Sequence, residues 1–188
     1  MSQLAQRLFM ASGGKKDSTY VDDVFSTYLY RGNNQNGRPI SNGIKLNNDS
    51  VGNSVYFNGS GQIEIASTSD FAFGTGDYTV EFWMNYSSVS DYMSIFEGRP
   101  TNSNGEYFSI QINGGNLQVY INSVNLIQVT APATSQWHHI AVVREGTGSN
   151  QLKLYINGTQ SGQATDTANY GNQRCLIAGH AWSRGNFY

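Results

Sequence analysis

Apolar and polar residues alternate along most of the chain after residue 53, which is the pattern of half-buried β-strands. Residues 78–84 show it most clearly, because large apolar side chains occupy every second position and would share one face of a strand: Tyr78, Val80, Phe82 and Met84. The same period runs through residues 108–112, 117–121 and 152–156. Polar turn residues separate these segments at intervals of roughly ten residues, a spacing that predicts an all-β, antiparallel β-sandwich.

Turn signals are strongest in residues 137–162. Asn157-Gly158 is the dipeptide preferred in type I′ hairpin turns, because both central residues need positive φ angles. A cluster of turn-forming residues at 146–150 precedes it. These two signals flank the alternating residues 151–156, so the stretch predicts two consecutive hairpins at the centre of the fold.

Residues 1–50 lack the alternating pattern. Short apolar patches occur in residues 1–10 and 19–30, and residues 31–43 are rich in Asn and Gly, which is typical of long loops. Residues 21–28 fit a helical pattern and a strand pattern equally well. We therefore divide the chain into an extended N-terminal arm, residues 1–50, and a β-sandwich, residues 51–188.

Composition narrows the classes of partner. Charged residues make up only 13% of the chain and the net charge is −2, so no basic field exists to attract a nucleic-acid backbone. No apolar run approaches the length of a membrane span, and we expect no membrane insertion. The single cysteine, Cys175, has no intramolecular disulfide partner and no CxxC spacing, which favours a small buried apolar residue over a reactive thiol.

The adjacent histidines His138 and His139 are of a type that serves as metal ligand or general base. Successive side chains of a β-strand point to opposite faces, so these two cannot chelate one ion in regular strand geometry. We expect one of them to be packed or hydrogen-bonded within the sandwich and the other to lie on the surface.

Paired carboxylates do not occur within any one alternating segment. A glycosidase on such a fold needs two carboxyl groups on one strand face, usually from acidic residues at alternate positions. The glutamates here stand alone within their segments: Glu64, Glu81, Glu97, Glu106 and Glu145. The sequence therefore predicts a protein that is not an enzyme.

Two polar loops carry candidate saccharide-binding residues. A sugar is recognised by an exposed aromatic face together with polar groups for its hydroxyls. The first loop, residues 179–185, contains Trp182, His180 and Arg184, and the second, residues 98–105, contains Arg99 and Asn102. Subunit contacts use the same residue types, so the sequence leaves both interpretations open.

Three parts of the chain resemble the laminin G-like branch of the concanavalin A-like jelly-roll superfamily. They are SVYFNGSGQIEIA at 54–66, DFAFGTGDYTVEFWMN at 70–85, and QWHHIAVVREG at 136–146 followed by LKLYINGTQ at 152–160. The last pair, in that order, is the most specific part of the resemblance. It implies a concanavalin A-like jelly roll over residues 53–180.

The resemblance also implies a metal site, because laminin G-like domains bind calcium at one rim through Asp side chains and loop carbonyl oxygens. The candidates by position are Asp70 and Asp77, which flank residues 71–76. An ordinary turn hydrogen bond is the alternative role of Asp77. No cofactor other than Ca²⁺ is expected.

Residues 21–33 and 42–46 are similar to the starts of structural proteins from marine and cyanobacterial phages. This second resemblance implies a virion protein, tail- or fibre-associated, whose arm docks on other virion proteins through residues 1–50. Its sandwich would project outward, form homo-oligomers and bind host-surface polysaccharide. A head decoration or fibre protein and a cellular carbohydrate-binding or adhesion module are the alternatives.

Members of the laminin G-like family close the sandwich with a last strand that pairs near the first strand of the domain. The sequence reaches Gly185–Tyr188 at the point where that strand would begin. We expect the chain to continue beyond Tyr188. A strand supplied by a partner chain or by the N-terminal arm is the alternative, because an unpaired edge promotes association.

Overall fold

The computed structural model describes residues 2–5, 9–12, 44–49, 52–88, 92–100 and 106–181, with side chains from residue 55 onward. The strands in these ranges are β1 (Ser2–Ala5), β2 (Phe9–Ser12), β3 (Ile44–Asp49), β4 (Gly52–Phe57), β5 (Ile63–Thr68), β6 (Tyr78–Asn85), β7 (Tyr92–Arg99), β8 (Phe108–Asn113), β9 (Asn116–Ile121), β10 (Val124–Thr130), β11 (His138–Arg144), β12 (Leu152–Ile156), β13 (Thr159–Ala164) and β14 (Gln173–Ile177). A short 3₁₀ turn, Ser69–Phe71, follows β5. No helix in the described ranges has the length and apolar character needed to cross a membrane.

The strands form two antiparallel sheets. The eight-stranded sheet has the order β13-β12-β11-β6-β1-β4-β3, with β2 also paired to β6, and the six-stranded sheet has the order β10-β9-β8-β7-β14-β5. Apolar side chains of both sheets form one shared core. The predicted all-β sandwich is therefore confirmed.

Strand β6 lies at the centre of the eight-stranded sheet. One edge pairs with β11 along its length, from Tyr78–Arg144 to Met84–His138. The other edge is shared, since β2 pairs with residues 78–81 and β1 with residues 84–85. The segment expected to be an arm thus contributes β1, β2 and β3 to this sheet, while residues 13–43 lie outside the described residues. β1 also pairs with β4, the strand near which the resemblance places the closing strand.

The core follows from the two-residue period. Inward-facing aromatic rings meet between the sheets, with Phe73 stacked on Tyr78 at a centroid distance of 5.0 Å and Phe108 5.2 Å from Phe96. Cys175 is wholly buried among these side chains, and burial raises the pKa of its thiol. The prediction of an inert, buried cysteine fits this environment.

The predicted turn at Asn157-Gly158 is confirmed. Both residues have positive φ angles, 52° and 79°, as a type I′ turn requires. This turn connects β12 to β13, and residues 145–151 connect β11 to β12. The two predicted hairpins therefore form one edge of the eight-stranded sheet.

A buried ion pair connects the loops at one end of the sandwich. The guanidinium of Arg144, at the end of β11, donates to the carboxylate of Asp166 at 2.9 Å and to the carbonyl of Ala168 at 2.9 Å. It also donates to the carbonyls of Gly74 at 2.7 Å and Gly76 at 2.9 Å. Because both charged side chains are almost inaccessible, these contacts satisfy groups that would otherwise be costly to bury.

Candidate functional site

The outer face of the six-stranded sheet is polar, and many of its side chains are almost inaccessible. Six of them are at most 5% exposed: Ser94, Glu97, Arg99, Ser109, Gln111 and Gln118. Amide side chains form a ladder across the strands, in which Gln111 donates to Gln118 at 2.9 Å and Gln118 donates to Gln128 at 2.8 Å. We call this surface the polar face.

Glu97 is the centre of the polar face and was not predicted as a site residue. Its Oε1 accepts hydrogen bonds from Nε of Arg99 at 2.9 Å and from the amide of Ala181 at 3.0 Å. Its Oε2 lies 3.2 Å from Nε2 of His180. Two predicted binding residues from separate loops, Arg99 and His180, are thus brought together on one carboxylate.

Aromatic rings enclose this cluster. The Arg99 guanidinium lies 3.5 Å from the ring centroid of Tyr107, a cation–π contact. The ring of His180 meets Tyr92 edge-on at 5.7 Å. Burial lowers the pKa of the His180 imidazole. The carboxylate of Glu97 raises this pKa, and the guanidinium of Arg99 lowers it. The neutral form of His180 is therefore favoured, and its Nε2 faces Oε2 of Glu97.

The polar face also aligns two carboxylates that stand apart in sequence. Leu176 of β14 pairs with Glu64 on one side and with Glu97 on the other, which puts the two glutamates in one row, about 10 Å apart. Glu97 has no exposed surface, and both of its oxygens contact protein groups. It therefore presents no oxygen to a substrate. The remaining predicted residues Trp182, Arg184 and Asn102 lie outside the described residues.

The outer face of the eight-stranded sheet carries an accessible aromatic group. Trp83 of β6 is 44% exposed and pairs across the strands with His139 of β11. In the next row, Ala141 pairs with Glu81 on one side and with Tyr155 on the other. We call these five residues, Trp83, Glu81, His139, Ala141 and Tyr155, the aromatic platform.

Contacts between neighbours hold the polar groups of the aromatic platform. The rings of Trp83 and His139 are 5.3 Å apart at an angle of 50°. Nε2 of His139 lies 3.3 Å from Oε2 of Glu81, and both side chains are partly exposed, 26% and 33%. The platform therefore presents an indole ring, an imidazole and a carboxylate side by side on a sheet.

The prediction for the two histidines is confirmed. His139 lies on the outer face, whereas His138 is buried and pairs with the core residue Met84. Nε2 of His138 lies 2.9 Å from the carbonyl of Ala133, and Nδ1 lies 3.1 Å from the side-chain nitrogen of Asn157. Because a carbonyl can only accept, His138 carries its proton on Nε2 and Nδ1 accepts from Asn157.

The expected calcium ligands are Asp70, which lies in the 3₁₀ turn, and Asp77, which directly precedes β6. Asp70 and Asp77 are both exposed, and the carboxylate of Asp70 accepts a hydrogen bond from the hydroxyl of Thr68 at 3.1 Å. In the part of the chain that the structure describes, no group of three or more His, Cys, Asp or Glu side chains has the arrangement of a metal site. Calcium binding at these residues stays a prediction.

Trp83 and Tyr155 were missed because their strands were interpreted through the apolar face alone. In the alternating residues 78–84, Trp83 occupies a position on the side of the strand that otherwise carries polar residues. A large aromatic residue at such a position is directed to solvent once the strand is assigned, and this signal was available in the sequence. No sequence signal places Tyr155 near it, since that proximity depends on the pairing of β6, β11 and β12.

Comparison with known proteins gives one family match. The family model Laminin_G_3, described as "Concanavalin A-like lectin/glucanases superfamily", matches residues 57–188. The comparison with curated proteins gave no match.

Solved structures of similar fold are distant in sequence. Domains LG4-5 of the mouse laminin alpha1 chain are 12% identical with a TM-score of 0.47, over 64% of this chain and 32% of that chain. The chain thus spans less than two thirds of that laminin structure. The Bacillus licheniformis β-glucanase is 15% identical with a TM-score of 0.41, over 76% of this chain and 74% of that chain. The carbohydrate binding module CBM66 from Bacillus subtilis is 9% identical with a TM-score of 0.30, over 64% and 89%.

The assignment of the chain to a family rests on the match of its sequence to the family model, and it agrees with the antiparallel sandwich described above. Residues 57–188 make up more than half of the 188 residues. The laminin G-like resemblance noted in the sequence is confirmed by this match. The chain therefore belongs to the Concanavalin A-like lectin/glucanases superfamily.

Proposed function

We propose that the chain is a non-enzymatic carbohydrate-binding protein and that the aromatic platform holds the saccharide. The observation that carries this proposal is the exposure of Trp83 beside Glu81 and His139. The family includes lectins by its description, which supports a saccharide as the ligand class.

The chemistry of the aromatic platform suits a sugar ring. The apolar face of a sugar packs on an indole ring, and its hydroxyl groups need hydrogen-bond partners nearby. The carboxylate of Glu81 accepts hydrogen bonds, and the imidazole of His139 both donates and accepts. Each side chain projects from a paired strand, so the groups are held in place before a ligand arrives.

The contacts of Glu97 support a role without catalysis. Its oxygens are engaged by Arg99, His180 and the Ala181 amide, and no surface of Glu97 is exposed. A carboxyl group that transfers protons to a glycosidic bond must reach that bond. We expect no release of reducing ends from soluble polysaccharides, and their release in an amount that depends on Glu97 would contradict this part of the proposal.

Substitution of Trp83 tests the binding proposal. We expect Trp83→Ala to weaken retention by a bound polysaccharide in native affinity electrophoresis by about fivefold, since one aromatic contact contributes on the order of 1 kcal/mol. Val124→Ala is the matched control, because Val124 is a 54% exposed apolar residue on β10 of the other sheet. Equal retention of Trp83→Ala and the unaltered chain would falsify the assignment of the platform.

The biological setting follows from the N-terminal resemblance. In the setting that we propose, the chain is an oligomeric phage virion protein that is associated with the tail or a fibre. Its residues 1–50 contact other virion proteins, and its sandwich binds host-surface polysaccharide. Particles assembled with a chain lacking residues 1–50 should lose the protein. Circular dichroism of the truncated chain is the control, because β1, β2 and β3 are removed with that segment. Retention of a folded, truncated chain on the particles would contradict docking through residues 1–50, whereas absence of the full-length chain from the particles would favour the cellular adhesion module.

Calcium binding at Asp70 and Asp77 is tested by thermal melting. The proposal expects a higher melting temperature in millimolar calcium than with a chelator, because a ligand that binds only the folded state stabilises it. Equal melting temperatures in the two buffers would remove calcium from the proposal. Asp77→Asn should abolish any shift that is observed.

A further inference from the structure

The aromatic platform extends beyond Trp83 because three paired strands contribute to it. Trp83 is on β6, Ala141 on β11 and Tyr155 on β12, and the pairing registers put Ala141 directly between Glu81 and Tyr155. Neighbouring strands are about 4.8 Å apart, so β6 and β12 are separated by about 10 Å. The two aromatic residues also stand one row apart along the strands. A single sugar ring cannot cover both.

The residue between Trp83 and Tyr155 on this surface is Ala141, which has a small side chain. It is the residue of β11 that faces outward in that row, and only 7% of the residue is exposed. Its outward neighbours on the same strand, His139 and Val143, are larger. The larger side chains of Trp83 and Tyr155 therefore flank a small residue, and a chain of sugar rings that spans both aromatic residues passes above Ala141.

The charges on this face favour an uncharged ligand. Glu81 carries a negative charge on the platform itself, and a carboxylate or sulfate on the ligand would be repelled by it. Lys153 lies one row further along β12, but its ammonium group is bound to the carboxylate of Glu145 at 2.5 Å. In the described ranges the platform thus offers an acidic ligand no unpaired cation.

We propose that the aromatic platform binds an internal segment of a neutral polysaccharide, with one ring on Trp83 and a later ring on Tyr155. This inference rests on the proposed function and adds the length, the direction and the charge class of the ligand. The sugar chain runs diagonally across β6, β11 and β12, over Ala141. Terminal monosaccharides use only the Trp83 end.

Ligand length is the first test. Titration calorimetry with gluco-oligosaccharides and manno-oligosaccharides of increasing length should show affinity rising at least tenfold from monosaccharide to the length that reaches Tyr155. Tyr155→Ala should abolish that rise, so that the affinity for the longer oligosaccharides falls to the affinity for the monosaccharide. Binding that depends on Trp83 but not on length or on Tyr155 overturns this inference and leaves the proposed function standing. If none of the saccharides tested binds, both this inference and the proposed function are overturned.

A steric substitution at Ala141 is the second test. Ala141→Leu places a larger side chain between the aromatic residues without removing either of them, and we expect at least a tenfold loss of oligosaccharide affinity. Val143→Leu is the matched control, because Val143 faces outward on the same strand one row away from the path. Circular dichroism and melting temperature of both variants show that the fold is kept. Equal affinity of the two variants overturns the proposed path.

A charge series is the third test. In affinity electrophoresis we expect retardation by a soluble neutral glucan, xylan or galactomannan and none by alginate or polygalacturonate. Glu81→Gln should narrow that difference by removing the repulsive charge. Stronger retardation by the uronate polymers than by every neutral polymer overturns the assignment of a neutral ligand. If that retardation depends on Trp83, the proposed function is kept.

Discussion

At the scale of single residues, the surroundings of a side chain decide its chemistry. Glu97 and Glu81 are both strand glutamates, yet Glu97 is wholly buried among donors whereas Glu81 is partly exposed beside His139. Burial likewise removes reactivity from Cys175, because desolvation disfavours the thiolate and raises the pKa of the thiol. The same residue type therefore has different uses on different faces of the sandwich.

Thiol labelling tests the assignment of Cys175. We expect a maleimide or disulfide reagent at pH 8 to modify the folded chain far more slowly than the urea-unfolded chain, because the buried thiol is both inaccessible and protonated. The rate at which the same reagent modifies glutathione is the reference for an accessible thiol. Modification of the folded chain at the glutathione rate would contradict the position of Cys175 in the core.

At the scale of elements, the edges of the two sheets meet where β13 of one lies against β10 of the other. Gly162 of β13 makes that approach close, since a Cβ atom there would lie 2.4 Å from Cγ2 of Ile127 and 3.4 Å from Cγ1 of Val129. A side chain larger than hydrogen therefore forces the edges apart. The sandwich closes at this edge because residue 162 is a glycine.

Replacement of that glycine tests the edge contact. We expect Gly162→Ala to lower the free energy of unfolding by about 1–3 kcal/mol, the usual cost of an added methyl group in a well-packed site. Gly171→Ala is the matched control, because no heavy atom lies within 4 Å of the Cβ position there. Urea denaturation measures both variants, and equal midpoints would show that β10 and β13 do not pack as described.

At the scale of the whole molecule, the buried pair Arg144 and Asp166 holds loops that are distant in sequence. Arg144 contacts the carbonyls of Gly74 and Gly76 before β6, while Asp166 belongs to the connection between β13 and β14. The hydroxyl of Tyr170 donates to Asp166 at 3.0 Å and completes the network. One end of the sandwich is therefore held by polar contacts that exclude water.

Removal of the buried cation tests this network. We expect Arg144→Ala to lower the free energy of unfolding by about 3–5 kcal/mol, because the Asp166 carboxylate is left buried without a compensating cation. The control Lys153→Ala removes the exposed pair with Glu145 and should leave the midpoint of urea unfolding nearly unchanged. An Arg144→Ala variant as stable as the control would show that the pair contributes little.

Much of the candidate site could not be predicted because side chains from separate segments converge. The period of residues 78–84 predicts both faces of β6, and it assigns Trp83 to the side of the strand that faces solvent. Its position relative to Ala141 and Tyr155 depends on which strands pair and in which register. The same holds for Arg99 and His180, which were assigned to separate loops and meet on Glu97.

The sequence by itself determined the sandwich, the hairpin turn at Asn157-Gly158 and the opposite directions of His138 and His139. These features depend on local rules: the two-residue period of strands, the φ angles that a tight turn requires, and the alternation of neighbouring side chains. Only the tertiary structure decided which carboxylates are buried, which aromatic residues share the aromatic platform, and that β1 and β2 pair with β6. Those outcomes depend on contacts between residues far apart in the chain, and no local pattern specifies them.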